Sequence, residues 1–268
     1  MGGVSLENCP LPDDCYPSYR MKLVSLCPSL TELVFDLGAG ESLIGRTKFC
    51  IHPANKVEAV EKVGGTKNPK IERIIELAPD LVLMNEEENR IEDATALRSA
   101  GIRVHSSMPR TAADTATMVR AIGVALSRSR QAESIAADIE RRADRVQRDA
   151  GKYPPVRYAC LIWREPIMTV NNDTFIAGLL ALPGGQNVFG ARDDRYPTIT
   201  PQELHDADPL RVFLPNEPFP FKSTHADELA GLSRLPRDRF RLVDGELISW
   251  HGSRTPKGID YAEAVLRD

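Results

Sequence analysis

"NPKIERIIELAPDLVLMNE", residues 68–86, and "TPQELHDADPLRVFLPNE", residues 200–217, decide the fold between them. Each opens on a polar residue followed by proline, Asn68-Pro69 and Thr200-Pro201. Proline suits the first turn of a helix, because its φ is preset and the N–H it lacks has no partner there anyway. Each segment then leads into a short apolar run, "DLVLM" (80–84) and "RVFLP" (211–215), and each run ends in Asn-Glu: Asn85-Glu86 and Asn216-Glu217. A third echo follows, since Arg110-Thr111 and Arg254-Thr255 each precede a helix pattern. A helix and strand repeated with the same exit residues predict two related α/β lobes.

The flanking sequence continues the alternation. "KLVSL" (22–26), "LIG" (43–45) and "IRVHS" (102–106) read as strands. Pro28 and the capping-box pattern Ser29-Leu30-Thr31-Glu32 predict a helix through about Leu37. Further helices are predicted over 68–77, with Pro69 in the first turn, and over 91–100, closed by Gly101. The second half adds a strand at "YACLIW" (158–163), a helix over 173–182 capped by Asp173, a helix over 200–207 and a strand at "RLVDG" (241–245). This rhythm implies mainly parallel sheets with helices on both faces, an α/β architecture of two Rossmann-like lobes.

Between the halves, Ala132, Ile135, Ala136, Ile139, Ala143 and Val146 recur at helical spacing opposite Arg141, Arg142, Asp144 and Arg148. A helix from about Gln131 to Asp149 would run ~28 Å, and "GKYPP" (151–155) ends it. The expected division is a loose leader over 1–20, an N-terminal lobe over 21–127, a linking backbone helix over 128–154 and a C-terminal lobe over 155–268. One long helix between lobes, in place of paired strands, implies limited hinge motion.

Composition narrows the function classes. The chain has 268 residues and a formal net charge of −4, so it lacks the basic face a nucleic-acid partner requires. No apolar run approaches the roughly 18 residues of a membrane span. The start, "MGGVSLENCPLPDDCYPSYRMK", has no basic region followed by an apolar one. The expectation is a cytoplasmic protein as written, or a periplasmic one whose leader has been removed. Five cysteines without a Cys-x-x-Cys pair exclude a disulfide framework and a structural zinc module. Cys9 and Cys15 fall in the leader, and Cys160 reads as a core thiol. There is no P-loop, no G-x-S-x-G elbow and no H-E-x-x-H.

The stretches "VSLCPSLTELVFDLGAGESLIGRT" (24–47), "VGGTKNPKIERIIELAPDLVL" (63–83) and "NEEENRIED" (85–93) resemble the cobalamin- and ferric-siderophore-type substrate-binding proteins of ABC importers. "LIWREPIMTV", "DTFIAGLL", "GGQNVF", "RYPTIT" and "VDGELISWHGSRT" continue the resemblance, which covers about residues 21–266. The subgroup they are most similar to is the helical-backbone metal receptors, or cobalamin-binding proteins. That resemblance implies a class III periplasmic-binding-protein-like fold, a helical backbone between lobes and no covalent chemistry. It also implies docking on a permease through one carboxylate per lobe, with Glu72 and Glu203 as candidates. The plain reading of both is stabilisation of a helix N-terminus.

In open α/β lobes, ligands bind outside the carboxyl ends of the strands. Trp163 and Arg164 follow one strand, Glu86, Glu87, Glu88 and Asn89 another, and Glu217, Pro218 and Phe219 a third. Trp250, His251, Ser253 and Arg254 follow "VDGELI". Flat aromatic walls with a few charges suit a corrin or porphyrin. Glu86 is expected to face the cleft because it matches Glu217, and Arg110 and Arg254 to grip carboxylates or amides from both sides. The acidic run also reads plainly as a solvated helix opening. "TKFCIHP" (47–53) places Lys48, Phe49, Cys50 and His52 at the pocket rim. Ser29 and Tyr196 complete the candidate ligand contacts. His52 or His251 would serve as an axial ligand to a metal held by an organic chelate. Cys27, before a helix start, favours a thiolate or is simply a small packing residue.

The expected ligand ranks cobalamin first, ferric siderophore second and haem third, with no cofactor of the protein's own. An ABC permease is the expected partner and a monomer the expected state. Two rivals belong to other classes: a cytoplasmic corrinoid- or metal-dependent enzyme, kept open by Cys27, Cys50 and His52, and a carrier of bare transition-metal ions.

Overall fold

The computed structural model describes residues 21–268, so the expected leader, with Cys9 and Cys15, lies outside the described residues. The first half runs β1 (Leu23–Ser25), α1 (Pro28–Asp36), β2 (Leu43–Arg46), α2 (Ala54–Val57), β3 (Glu61–Lys62), α3 (Ile71–Leu77), β4 (Leu81–Asn85), α4 (Ile91–Ser99), β5 (Val104–Ser107) and α5 (Ala112–Ala125). The 22-residue α6 (Ser129–Ala150) follows. The second half runs β6 (Val156–Trp163), β7 (Met168–Thr169), α7 (Phe175–Ala181), β8 (Gly185–Asn187), α8 (Pro201–Ala207), β9 (Arg211–Pro215), α9 (Ser223–Ser233), β10 (Phe240–Val243), α10 (Gly245–Ser249) and α11 (Thr255–Arg267).

The first sheet has the order β3-β2-β1-β4-β5 and is parallel throughout. In the second, β10-β9-β6 are parallel, β8 joins the N-terminal part of β6 in parallel, and β7 joins its C-terminal part antiparallel. Side chains alternate across each strand, so each sheet buries both faces. Leu23, Leu81 and Leu83 enter a central core, while Val24, Val82 and Met84 enter an outer one beneath α3 and α4. In the second sheet Tyr158, Cys160 and Phe213 point to the central core, and Ala159, Leu161, Val212 and Leu214 point outward.

The central core is shared by both halves and by α6. The expected apolar face of α6 is buried at Ala132, Ala136, Ile139 and Val146, with Ile135 and Ala143 packed at its margin. Its charged face is tied to its neighbours: Arg120 of α5 reaches Glu133 at 2.8 Å and Glu140 at 2.5 Å, and Arg145 reaches Asp260 and Glu263 of α11 at 2.8 Å each. At the seam, Gly178 of α7 lies so near the Arg110 carbonyl oxygen that a Cβ would sit 2.1 Å from it.

Several helix starts differ from expectation. Cys27, not a residue of the Ser29–Glu32 box, is the N-cap of α1, and no side chain caps it. Pro69 lies ahead of α3, in a bridge with Gly64, and the N-cap is Lys70, which has no acceptor oxygen. Thr174, not Asp173, caps α7, accepting from the Ala177 N–H at 3.3 Å. Thr200 behaves as expected: its hydroxyl accepts from the Glu203 N–H, and Glu203 returns the bond to the Thr200 N–H, with Pro201 in the first turn. Gly101 takes the expected left-handed conformation after α4, φ +80°.

Candidate functional site

The β4–α4 turn is built on two buried asparagines. The Asn85 Oδ1 accepts from the N–H groups of Glu87 (3.0 Å) and Glu88 (3.2 Å), the turn geometry that Asx side chains favour. Asn89 Oδ1 accepts from the Asn85 N–H, and its Nδ2 donates to the carbonyls of Leu26 and Thr66. The turn therefore presents Glu87 and Glu88 on a fixed frame at the carboxyl end of the first sheet. Glu88 is exposed by its accessible surface, yet enough protein surrounds its carboxyl to desolvate it and raise its pKa. Glu87 adds to the rise and Lys67 opposes it.

The second half answers with Glu217, two residues beyond β9. Trp250 Nε1 donates to Glu217 Oε1, and burial, opposed by that bond, raises the Glu217 pKa. Glu246 and Glu88 add to the rise, so carboxylates from opposite halves feel one another. A Cβ at Gly245 would sit 2.6 Å from the Glu217 Cγ, so any larger residue here would displace Glu217. Trp250 is 9 % exposed, with the Arg254 guanidinium 4.8 Å over its ring and the His52 imidazole edge-on at 5.6 Å. His52 Nε2 in turn meets Glu246 at 3.2 Å. The short α10 separates Trp250 from β10, so this tryptophan does not stand directly at a strand end.

The two lips meet in a seam of ion pairs. Arg195 reaches Glu87 at 2.6 Å and Asp173 at 3.4 Å, the Tyr196 hydroxyl donates to Glu87, and Arg110 pairs with Asp173 at 2.9 Å. Desolvation, then the Glu87 charge, raises the Tyr196 pKa. The expected clamp of Arg110 and Arg254 is thus already filled by this chain's own carboxylates, since Arg254 holds Glu32 and Glu246 at 2.5 Å each.

The remaining expected residues divide. Trp163 (41 % exposed) stacks edge-on with Phe219 at 5.6 Å, and Phe219 continues to Phe221 and His225. Phe49 is half exposed, with Lys48 4.9 Å over its ring. Arg164 turns away to Glu228 (2.7 Å) and Glu165. Cys50 is not at the rim: it is fully buried, its Sγ within reach of the Thr31 and Thr47 hydroxyls, and burial raises its pKa. Cys27 is equally buried and pushed up to about 12, the opposite of a thiolate. His251 offers no free ring nitrogen for a metal, because Ser29 and Asn85 occupy both. His225 is half-buried against Phe219 and Phe221.

Glu86 does not match Glu217. The left-handed caps Ala78 and Asp208, the prolines Pro79 and Pro209, and strands β4 and β9 align position for position, which sets Glu87 against Glu217. Glu86 is exposed and bonded to Ser106. Sequence reasoning gave no site role to Arg195 or Asn85. Counting from the Ala-Pro and Asp-Pro pairs, and not from Asn-Glu, would have selected Glu87.

Two sheets joined through one long helix, with the turn after β4 tied to the second half by the ion pair of Glu87 with Arg195, form the frame, and a family comparison identifies it. The periplasmic binding protein family matches residues 23–231. The chain belongs to that family. A vitamin B12-binding protein of Vibrio cholerae serotype O1 is 23% identical over 250 residues, 93% of this chain and 88% of the relative. Among solved structures, the periplasmic vitamin B12 binding protein BtuF of Vibrio cholerae superposes with a TM-score of 0.80 at 21% identity, covering 92% of this chain and 96% of that one. The periplasmic heme-binding protein RhuT from Roseiflexus sp. RS-1 gives 0.79 at 21%, covering 92% and 98%. The fold of this periplasmic binding protein is class III, as the sequence predicted. Its family is one of substrate-binding transport proteins and not an enzyme family. Among the described residues, no helix is long and apolar enough to cross a membrane.

Proposed function

We propose that this binding protein captures a metal-bearing chelate, a corrinoid first, in the cleft between the strand ends of its two lobes, for uptake through an ABC-type permease. The lobes would be residues 21–127 and 155–268, with 128–154 as the backbone between them. The compartment is the periplasm, following the family. Permease docking falls to Glu72, exposed in the first turn of α3, and Glu203 on α8.

The observation that carries the corrinoid reading is the charge balance of the cleft. Arg110, Arg164, Arg195 and Arg254 are each matched by carboxylates of the chain. Desolvation raises the pKa values of Glu88 and Glu217, opposed by Lys67 at the first and by the Trp250 N–H at the second. A corrin ring bears primary amides around its rim, whose N–H groups suit such acceptors. Haem propionates and anionic siderophores would add like charge. Trp163, Phe219 and Phe49 supply aromatic surface for the ring face. The supporting relatives named for vitamin B12 point the same way. Against a metal-dependent enzyme or a bare-ion carrier, Cys50 faces Thr31 and Thr47 while His52 faces Glu246, so the two do not converge.

A titration with cyanocobalamin, haemin and a ferric hydroxamate, followed by tryptophan quenching, tests this. The expected order is cyanocobalamin tightest, with Trp250→Ala weakening it about tenfold or more, about 1.4 kcal/mol. Haemin binding more tightly than cyanocobalamin would overturn the charge argument.

A further inference from the structure

His251 lies 7 % exposed between Ser29 (4 %) and Asn85 (2 %), two residues of the other half. Its Nδ1 is 3.0 Å from the Ser29 Oγ and its Nε2 is 2.9 Å from the Asn85 Nδ2. The hydrogens follow from the neighbours. Backbone N–H groups of Glu87 and Glu88 only donate, so the Asn85 oxygen faces them and its amide nitrogen faces the Ser107 carbonyl and His251. Nε2 therefore accepts, and the imidazole proton sits on Nδ1, donating to Ser29. The Ser29 Oγ also lies 3.3 Å from the Cys27 Sγ, where either group can donate. The asparagine and the imidazole are thus each satisfied in one arrangement, and buried polar networks of that kind fix geometry because any misplacement strands a donor or acceptor.

We infer that His251 is a positioning residue that holds the two lips of the cleft in register. On one side it carries Trp250, its sequence neighbour, and on the other it bonds the asparagine from which the Glu87–Glu88 turn hangs. The ligand surface is then set by a side chain that has no ring nitrogen left to touch ligand. This rests on the cleft being the ligand site, as proposed above.

The test uses the full chain in a Trp163→Phe background, which leaves Trp250 as the single tryptophan. His251→Ala should red-shift the Trp250 emission and weaken cyanocobalamin about tenfold. His251→Gln, which retains an acceptor and a donor, should restore most of both. Long-range proton–nitrogen NMR of the histidines at neutral pH should show, besides His205, whose Nδ1 faces the Ser233 carbonyl, a neutral ring protonated on Nδ1 that is missing in His251→Gln. Asn85→Asp, whose carboxylate has no hydrogen to give, should shift that ring away from this tautomer, and it serves where His251→Ala does not fold. A His251 ring protonated on Nε2, or unchanged Trp250 emission and affinity in His251→Ala, would overturn the inference. Wild-type protein that binds no chelate would sink the proposed function alone, because the tautomer and the emission still decide the role of His251.

Discussion

The two lips of the cleft stand on the same backbone frame and carry opposite chemistry. Beyond β4 the turn is polar, with Asn85 and Asn89 buried and Glu87 and Glu88 presented outward. Beyond β9 and β6 the surface is aromatic: Trp163 on Phe219 at 5.6 Å, Phe219 on Phe221 at 4.7 Å and on His225 at 5.3 Å. Both lips begin with a left-handed cap, a proline and a five-residue strand, and both place a glutamate two residues past it. What the halves share is thus what backbone geometry demands, and what separates them is what a two-sided ligand would need.

The largest effect should come from the buried histidine that joins the lips. Burial lowers the His251 pKa from 6.5 to about 4. A base whose folded pKa lies below its unfolded value stabilises the fold fully above the unfolded pKa, and that stability drains away as pH falls from 6.5 toward 4. Between pH 7 and pH 5 the loss amounts to about 2 kcal/mol. Glu88 and Glu217, whose pKa values are raised, act with the opposite sign, losing stability as pH climbs past the ordinary carboxylate range. Urea unfolding of wild type and His251→Gln at both pH values isolates the histidine. The wild type should lose about 2 kcal/mol more than the variant on acidification. Equal losses would mean that the polar lip does not depend on a neutral ring.

A smaller effect tests which glutamate is the true counterpart of Glu217. Glu87→Gln removes a charge held by Arg195 at 2.6 Å and by the Tyr196 hydroxyl across the seam, a partly buried arrangement. It should cost on the order of 1–2 kcal/mol in urea unfolding. Glu86→Gln loses only an exposed bond to Ser106 and should stay within about 0.5 kcal/mol. If Glu86→Gln costs as much as Glu87→Gln, the alignment of the two halves is wrong by one residue.

That one-residue difference marks how far the sequence carries. The α/β alternation, the two sheets, α6 and the pairing of residues 68–86 with 200–217 were legible, because strands buried on both faces and amphipathic helices have strong periodic signatures. Trp250, Glu217, His52 and Arg254, singled out as polar and aromatic residues at or beyond strand exits, do gather around one another. Arg195 was not found, since nothing local distinguishes it in "DDRYP" and its partners Glu87 and Asp173 are distant in sequence. Cys50 was misplaced because a Cys-x-His spacing says nothing about direction, and its neighbours Thr31 and Thr47 turn the thiol inward. The roles of Asn85 and His251 depend on a contact across 166 positions, which no local pattern encodes.

The smallest effect separates the two helices that open the echoing segments. Thr200 and Glu203 cap α8 reciprocally, and Glu203 also pairs with Arg192 at 2.5 Å, so the Thr200 N–H and then Arg192 hold its pKa down. At α3 the cap position is Lys70, which supplies no oxygen, and Glu72 stands one residue too early to reciprocate. Glu203→Ala should therefore cost about 1 kcal/mol, read as a drop in the urea midpoint. Glu72→Ala should cost no more than a few tenths, the share of a lone acidic residue at a helix start. The contrast bears on docking as well. A carboxylate occupied by a cap and an arginine has to give up those bonds to meet a permease, whereas Glu72 does not. Equal stability losses at the two positions would show that α3 has a cap the side-chain geometry does not provide, and would remove this asymmetry between the lobes.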